Sequence, residues 1–165
     1  MKTKTAYIDT NIFVYAILHH PVFGNEAERI VRDAVRGRFE AYGSLLVAIE
    51  LLGALSKINV NKASIATEAY LQLDVRLLGI DHLTVKVATI INRLTGIKYD
   101  SVHAALMFLN NIDTIITNDE KDWKQVTSKA REILDELKVY GVEPEISKIH
   151  VVTTNTYKKW VENMA

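Results

Sequence analysis

Short runs of β-branched and aromatic residues recur along this chain, and a helical pattern follows each of them. Strands separated by helices pair in parallel and need cover on both faces, because a tight hairpin cannot join them. The alternation therefore predicts an α/β domain of three layers, α/β/α, with a central, mainly parallel sheet. Tyr7-Ile8 and its neighbours supply the first strand, and Thr10 or Asn11 is expected to cap a helix reaching Leu18. Asn25 and Glu28 have the spacing of a capping box, ahead of an apolar face of Ala27, Ile30, Val31 and Ala34 that ends at Gly37.

Arg38 to Gly43 reads as a second strand, with Ser44 capping a strongly apolar helix from Leu45 to Ile58. Asn61 begins another helix, Leu77 to Ile80 a third strand, and Thr84 a helix that Thr95-Gly96 stops. Asp100 lies in the first turn of the next helix, where Val102, Ala105, Leu106 and Leu109 form the apolar stripe. That leaves His103 on Asp100's side, expected at the surface. Thr114 to Thr117 is the clearest strand and delivers Asn118-Asp119 at its carboxyl end. A helix around Ala130, Ile133, Leu134 and Leu137 follows, then a last strand from Ile149 to Thr153. Tyr157, Trp160, Val161 and Met164 mark a C-terminal helix.

At 165 residues the chain can bury a core without disulfides, and it has no cysteine to form them. Thiolate zinc sites and cysteine nucleophiles are excluded with them. Twenty basic residues balance twenty acidic ones, so bulk charge does not announce a polyanion partner. Asp9 interrupts the N-terminal apolar run, and no stretch is long enough to span a bilayer, which together favour a cytoplasmic protein.

Four carboxylates call for a reason. Asp9 sits inside the apolar run Ala6 to Tyr15, where a buried charge costs several kcal/mol unless donors or a cation compensate. Glu50 is the only acid in its apolar helix, and Leu46, Val47, Gly53 and Ala54 occupy the positions from which a base would pair with it. Asp100 stands at a helix start and Asp119 after a strand, where each is ordinary alone. In a parallel sheet, however, ligands bind beyond the carboxyl ends of the strands. Carboxylates brought together there must take up protons or share a cation, and oxygen ligands favour Mg²⁺ or Mn²⁺.

Four segments resemble the PIN-domain nucleases, in particular the VapC-like branch: Tyr7-Ile8-Asp9-Thr10-Asn11-Ile12, the helix bearing Glu50, Asp100-Ser101-Val102-His103-Ala104-Ala105, and Thr117-Asn118-Asp119-Glu120-Lys121-Asp122-Trp123. The resemblance implies a single PIN-like domain over residues 1–165, from whose pattern this chain departs by an extra helical segment at about 124–148. It implies that Asp9, Glu50, Asp100 and Asp119 form a catalytic, metal-binding quartet, to which Asp122 adds an outer carboxylate. Thr10 would orient Asp9 by a hydrogen bond, supported by Asn11, with Thr117 and Asn118 shaping the last turn. The implied activity is Mg²⁺- or Mn²⁺-dependent hydrolysis of RNA, extending to the toxin of a type II toxin–antitoxin pair, with an antitoxin and a second copy of the chain as partners. A housekeeping RNA-processing nuclease and a non-catalytic RNA- or protein-binding module are the alternatives. Lys57, Lys62, Arg93, Lys98 and Lys121 lie near the acidic segments and are expected at solvated helix ends.

Overall fold

A computed structural model of the chain describes residues 4–163. Five strands, β1 (Thr5–Ile8), β2 (Glu40–Ser44), β3 (Arg76–Leu78), β4 (Thr114–Ile116) and β5 (His150–Val152), form one sheet in the order β3-β2-β1-β4-β5. Every pairing is parallel. Helices α1 (Thr10–Ile17) and α2 (Gly24–Val35) join β1 to β2, and α3 (Leu45–Ser56) and α4 (Val60–Leu71) join β2 to β3. The pair α5 (His82–Thr95) and α6 (Asp100–Leu109) carries the chain back to β4, α7 (Glu120–Ser128) and α8 (Ala130–Val139) lead to β5, and α9 (Thr154–Glu162) follows it.

The first four helices and α9 pack mainly among themselves, and α5 to α8 form a second group, which gives the expected three layers. The central strands are buried on both faces: Ala6, Tyr7, Ile8, Ile115 and Ile116 have no exposed surface. The chain winds outward from β1 to β3, then restarts on the other side of β1 with β4. The sheet's switch point therefore lies between β1 and β4, and it opens a crevice beyond their carboxyl ends.

Several boundaries differ from the sequence reading. Asp9, rather than Thr10 or Asn11, caps α1, accepting from the Thr10 N–H. The Asn25–Glu28 capping box does not form: α2 starts at Gly24 behind Phe23, and Glu28 accepts from His19 instead, at 2.6 Å. Asn59 caps α4 two residues before Asn61, and a capping box of Asp81 and Thr84 starts α5 at His82. The third strand is Arg76–Leu78, paired in register with Tyr42–Ser44, instead of extending to Ile80. Residues 120–128 form α7, which the polar sequence Glu120 to Ser128 conceals except for buried Trp123 and Val126. Met164 lies outside the described residues, while Tyr157 and Val161 are buried as expected.

Ser44 joins β2 to α3 and caps the helix, its hydroxyl accepting from the Val47 N–H. Tyr70 of α4 braces the same residue, donating to the Ser44 carbonyl at 3.0 Å and accepting from its N–H at 2.9 Å. The phenol reaches this point across the bare backbone of Gly43, where a Cβ would collide with the Tyr70 hydroxyl. Gly43→Ala should therefore displace Tyr70 and cost about 1–3 kcal/mol of unfolding free energy by the usual penalty of overpacking. Urea denaturation measures this, with Gly53→Ala as the control, since a Cβ at Gly53 meets nothing within 4 Å.

Candidate metal centre

The register of β1 on β4 pairs Ile8 with Ile116, which sets the next residues, Asp9 and Thr117, beside each other at the switch point. The Thr117 hydroxyl donates to Asp9 Oδ2 at 2.7 Å. The Thr10 N–H donates to Oδ1 at 2.7 Å, and the Asn11 side-chain amide to Oδ2 at 3.1 Å. These three donors hold a carboxylate only 4% exposed. Thr117 Oγ1 also accepts from Asn11 Nδ2 and from the Asp119 N–H, so one hydroxyl ties the ends of both strands together. Asn118 extends this frame: its N–H donates to Asn11 Oδ1, and its side chain bonds Thr154 at the start of α9.

Thr10 does not orient Asp9 through its hydroxyl, as the resemblance implied. That hydroxyl donates to Glu50 Oε2. Glu50 reaches inward from α3 to a second donor, His103 Nε2, at 2.9 Å. His103 is not at the surface either; its side chain is fully buried, with Nδ1 2.7 Å from the Tyr7 hydroxyl. Tyr7 in turn lies 2.6 Å from Ser44 Oγ. Burial opposes the imidazolium of His103, but the Glu50 hydrogen bond and the charges of Asp9, Glu50 and Asp100 outweigh it and raise its pKa. Burial likewise pushes the Glu50 carboxyl up, and the hydrogen bond and charge of His103, with the Thr10 bond, bring it below its usual value. The base missing from Glu50's own helix thus comes from α6.

The remaining acids meet around Asp100. Ligand atoms of Asp9, Asp100 and His103 all lie within 4.8 Å of one another, and so do those of Asp100, Asp119 and Asp122. Asp100 belongs to both groups; Glu50 belongs to neither and touches the first through His103 and Thr10. Burial, then the charges of Asp9, Asp119 and Asp122 against the opposing charge of His103, push the Asp100 carboxyl up to about 7. Asp119 is raised too, by burial and then the charges of Asp122 and Asp9, against the Asp122 N–H and Lys121.

This donor set fits a hard divalent cation. An octahedral ion with bonds of about 2.1 Å spans oxygens up to ~4.2 Å apart, so small side-chain movements would let the carboxylate oxygens of either group share one. Ionised Glu50 has no proton to give, so the 2.9 Å contact requires a hydrogen on His103 Nε2, and that nitrogen is then unavailable as a ligand. The open donors are oxygens, which suit Mg²⁺ or Mn²⁺. Lys57, Lys62, Lys98 and Lys121 are exposed, and Arg93 is engaged with Glu136 of α8 at 2.6 Å.

Residues 6–129 match the profile of the PIN domain, and the chain belongs to that family. The match ends where α8 begins. Among solved structures, the fold resembles a chain of VapBC2 from Rickettsia felis, determined bound to a DNA fragment from their promoter, with a TM-score of 0.60 and 17% identity over 90% of this chain and 98% of that one. It also resembles a chain of a toxin–antitoxin complex from Klebsiella pneumoniae, with a TM-score of 0.52 and 18% identity over 72% and 89% of the two chains. No curated protein matches the sequence.

Two outcomes follow from the site's electrostatics. Thr117→Val removes a hydrogen bond to a buried charge and should lower stability by about 1.5–3 kcal/mol in chemical denaturation. Raised pKa values at Asp100, Asp119 and His103 mean that the folded state binds protons more tightly than the unfolded chain. The stability they contribute is complete below their unfolded values and is lost as pH rises through their folded ones. Chelator-treated protein should therefore melt at a lower temperature at pH 8 than at pH 5.5, and added Mn²⁺ should reverse the loss at pH 8 far more than at pH 5.5.

Proposed function

We propose that the chain is a metal-dependent endoribonuclease that hydrolyses RNA phosphodiester bonds, acting as the toxin of a type II toxin–antitoxin pair. The observation that carries this reading is the convergence of Asp9, Asp100, Asp119 and Asp122 at the sheet's switch point, with Asp100 driven to about 7. In this reading those four carboxylates hold Mg²⁺ or Mn²⁺, and Glu50 completes the catalytic set from the other side of His103. The cation, when bound, supplies charge stabilisation for the scissile phosphate and lowers the pKa of a water molecule.

The chain's own residues do the rest. Asp9 is fixed by Thr10, Asn11 and Thr117, so its carboxylate needs no reorganisation to accept a ligand. Asp100 must shed its proton before it can bind a cation, which makes loading favour neutral to basic pH. Asp119 and Asp122, at the start of α7, share with Asp100 the ligand group that does not include His103.

The toxin assignment draws on the toxin–antitoxin complexes that share the fold. A protein partner would find apolar surface on α3, where exposed Leu45, Ile49 and Leu52 form a stripe at helical spacing, and Val60 and Ile65 are exposed on α4. An antitoxin and a second copy of the chain are the partners we assign to such surface. We place the protein in the cytoplasm; among the described residues no helix is long and apolar enough to cross a membrane. We also treat the chain as one PIN-like unit with an added segment at about 124–148, of which α8 and the loop after it lie beyond the family match.

Purified protein should cleave single-stranded RNA with Mn²⁺ and stop when the metal is chelated. Asp9→Asn and Asp100→Asn should each lower the rate by about a hundredfold or more while the far-ultraviolet circular dichroism stays unchanged. Cleavage that survives both substitutions would assign the activity elsewhere. Wild-type protein that binds RNA in Mn²⁺ but leaves it uncut would point to a binding module, and expression without growth arrest would point to housekeeping RNA processing.

A further inference from the structure

His103 has no assigned task in the nuclease reading, yet its side chain is fully buried beside the acids. Its contacts form a circuit that leaves α3 at its cap and returns to it two turns later. Ser44, the cap of α3, bonds the Tyr7 hydroxyl of β1; Tyr7 bonds His103 Nδ1; and His103 Nε2 bonds Glu50 of α3. The ring of Tyr7 also stands edge-on to the imidazole, with centroids 5.5 Å apart and planes at 62°. Each hydroxyl in this circuit can reverse its direction, but the Glu50 end cannot. With a neutral imidazole the order is Ser44 O–H to Tyr7, Tyr7 O–H to Nδ1, and Nε2–H to Glu50. With an imidazolium, Nδ1–H donates to Tyr7 and Tyr7 donates to Ser44, while Nε2–H still donates to Glu50.

Glu50 needs such a hold. It is half-buried, projects from an apolar helix, and among the described residues has no backbone donor such as the Thr10 N–H that helps secure Asp9. Its bonds among the described residues both fall on Oε2, from Thr10 and from His103, so Oε1 keeps its lone pairs for a water molecule or ligand in the crevice. We propose that His103 is a positioning residue for RNA hydrolysis: locked by Tyr7 and Ser44, it clamps Glu50 Oε2 so that Oε1 accepts from the site's water. The inference rests on the nuclease reading and adds to it a residue outside the carboxylate set. A chain of buried hydrogen bonds suits the purpose, since a catalytic group displaced by about 1 Å can lose on the order of a hundredfold in rate.

The test uses full-length protein with Mn²⁺, a fluorescent single-stranded RNA, and three variants. His103→Leu keeps the volume and removes the donor; kcat should fall about tenfold or more, with KM changed less than about twofold. His103→Gln places an amide N–H near the position of Nε2 and should recover most of that loss, which a purely structural residue would not do. Tyr7→Phe removes the hydroxyl that locks Nδ1 without touching Glu50, and should lower kcat in the same direction. It also covers the case in which His103→Leu fails to fold. Mn²⁺ affinity, measured by calorimetry, should stay within about threefold of wild type in all of them, since the ligands are carboxylates.

A readout independent of activity is the ¹⁵N spectrum of the histidine ring. His103 Nε2 should carry its hydrogen at every pH at which the protein is folded, whether or not Nδ1 does. An unprotonated Nε2, unchanged kcat in folded His103→Leu, or His103→Gln no more active than His103→Leu would each overturn the assignment. Wild-type protein that cuts no RNA would overturn the nuclease reading and this role with it. Active wild type alongside an equally active His103→Leu would remove the role of His103 alone.

Discussion

The site depends on one hydrogen bond across the switch point, from the Thr117 hydroxyl to the Asp9 carboxylate. It exists because β1 and β4 pair in parallel with Ile8 opposite Ile116, so the two strands end level and their next residues face each other. A slip of one residue in either strand would turn the side chain away. Asp9 therefore has to be at the end of β1, and Thr117 at the end of β4, for either to have a purpose. The same hydroxyl accepts from the Asp119 N–H two residues on, a local turn that fixes where the last acidic segment begins.

Around that anchor the fold gathers more negative charge than it neutralises. Among the described residues, the buried base within the cluster is His103, which faces Glu50 at 2.9 Å and Asp9 at 3.8 Å. It does not reach the balance, and the surplus appears as the raised carboxyls of Asp100 and Asp119. Such frustration is tolerated where function needs it, because a site that is neutral and satisfied has little to offer a cation. Away from the site a buried acid is matched: Asp33, on α2 against α9, accepts from Tyr157 at 3.0 Å and faces Arg29 and Arg38.

The layers and the acidic positions were legible in the sequence because they depend on local patterns. Ser44 before an apolar helix, Thr95-Gly96 after one, and Ile115-Ile116 ahead of Thr117 each state their own structure; Gly96 indeed ends α5 with a positive φ of 74°. Asp9 was legible as an energetic problem, though the compensation turned out to include three neutral donors. His103 was not legible. Its position three residues after Asp100 shows only that the two share a side of α6, and nothing local reveals that β1 and α3 close over that side. The polar sequence of α7 hid its helix for a related reason, since Trp123 and Val126 are a sparse apolar face. Nor could periodicity alone give the strand order, which decides which carboxylates become neighbours.

The account turns on Asp100 as the carboxylate shared between two groups of ligands, and diffraction can see that directly. A crystal soaked in Mn²⁺ and measured near the manganese absorption edge should show an anomalous peak within bonding distance of an Asp100 carboxylate oxygen, with Asp9 or the Asp119–Asp122 pair completing the protein ligands. An anomalous peak bound away from Asp100, or none at Mn²⁺ concentrations that stabilise the protein in solution, would contradict it.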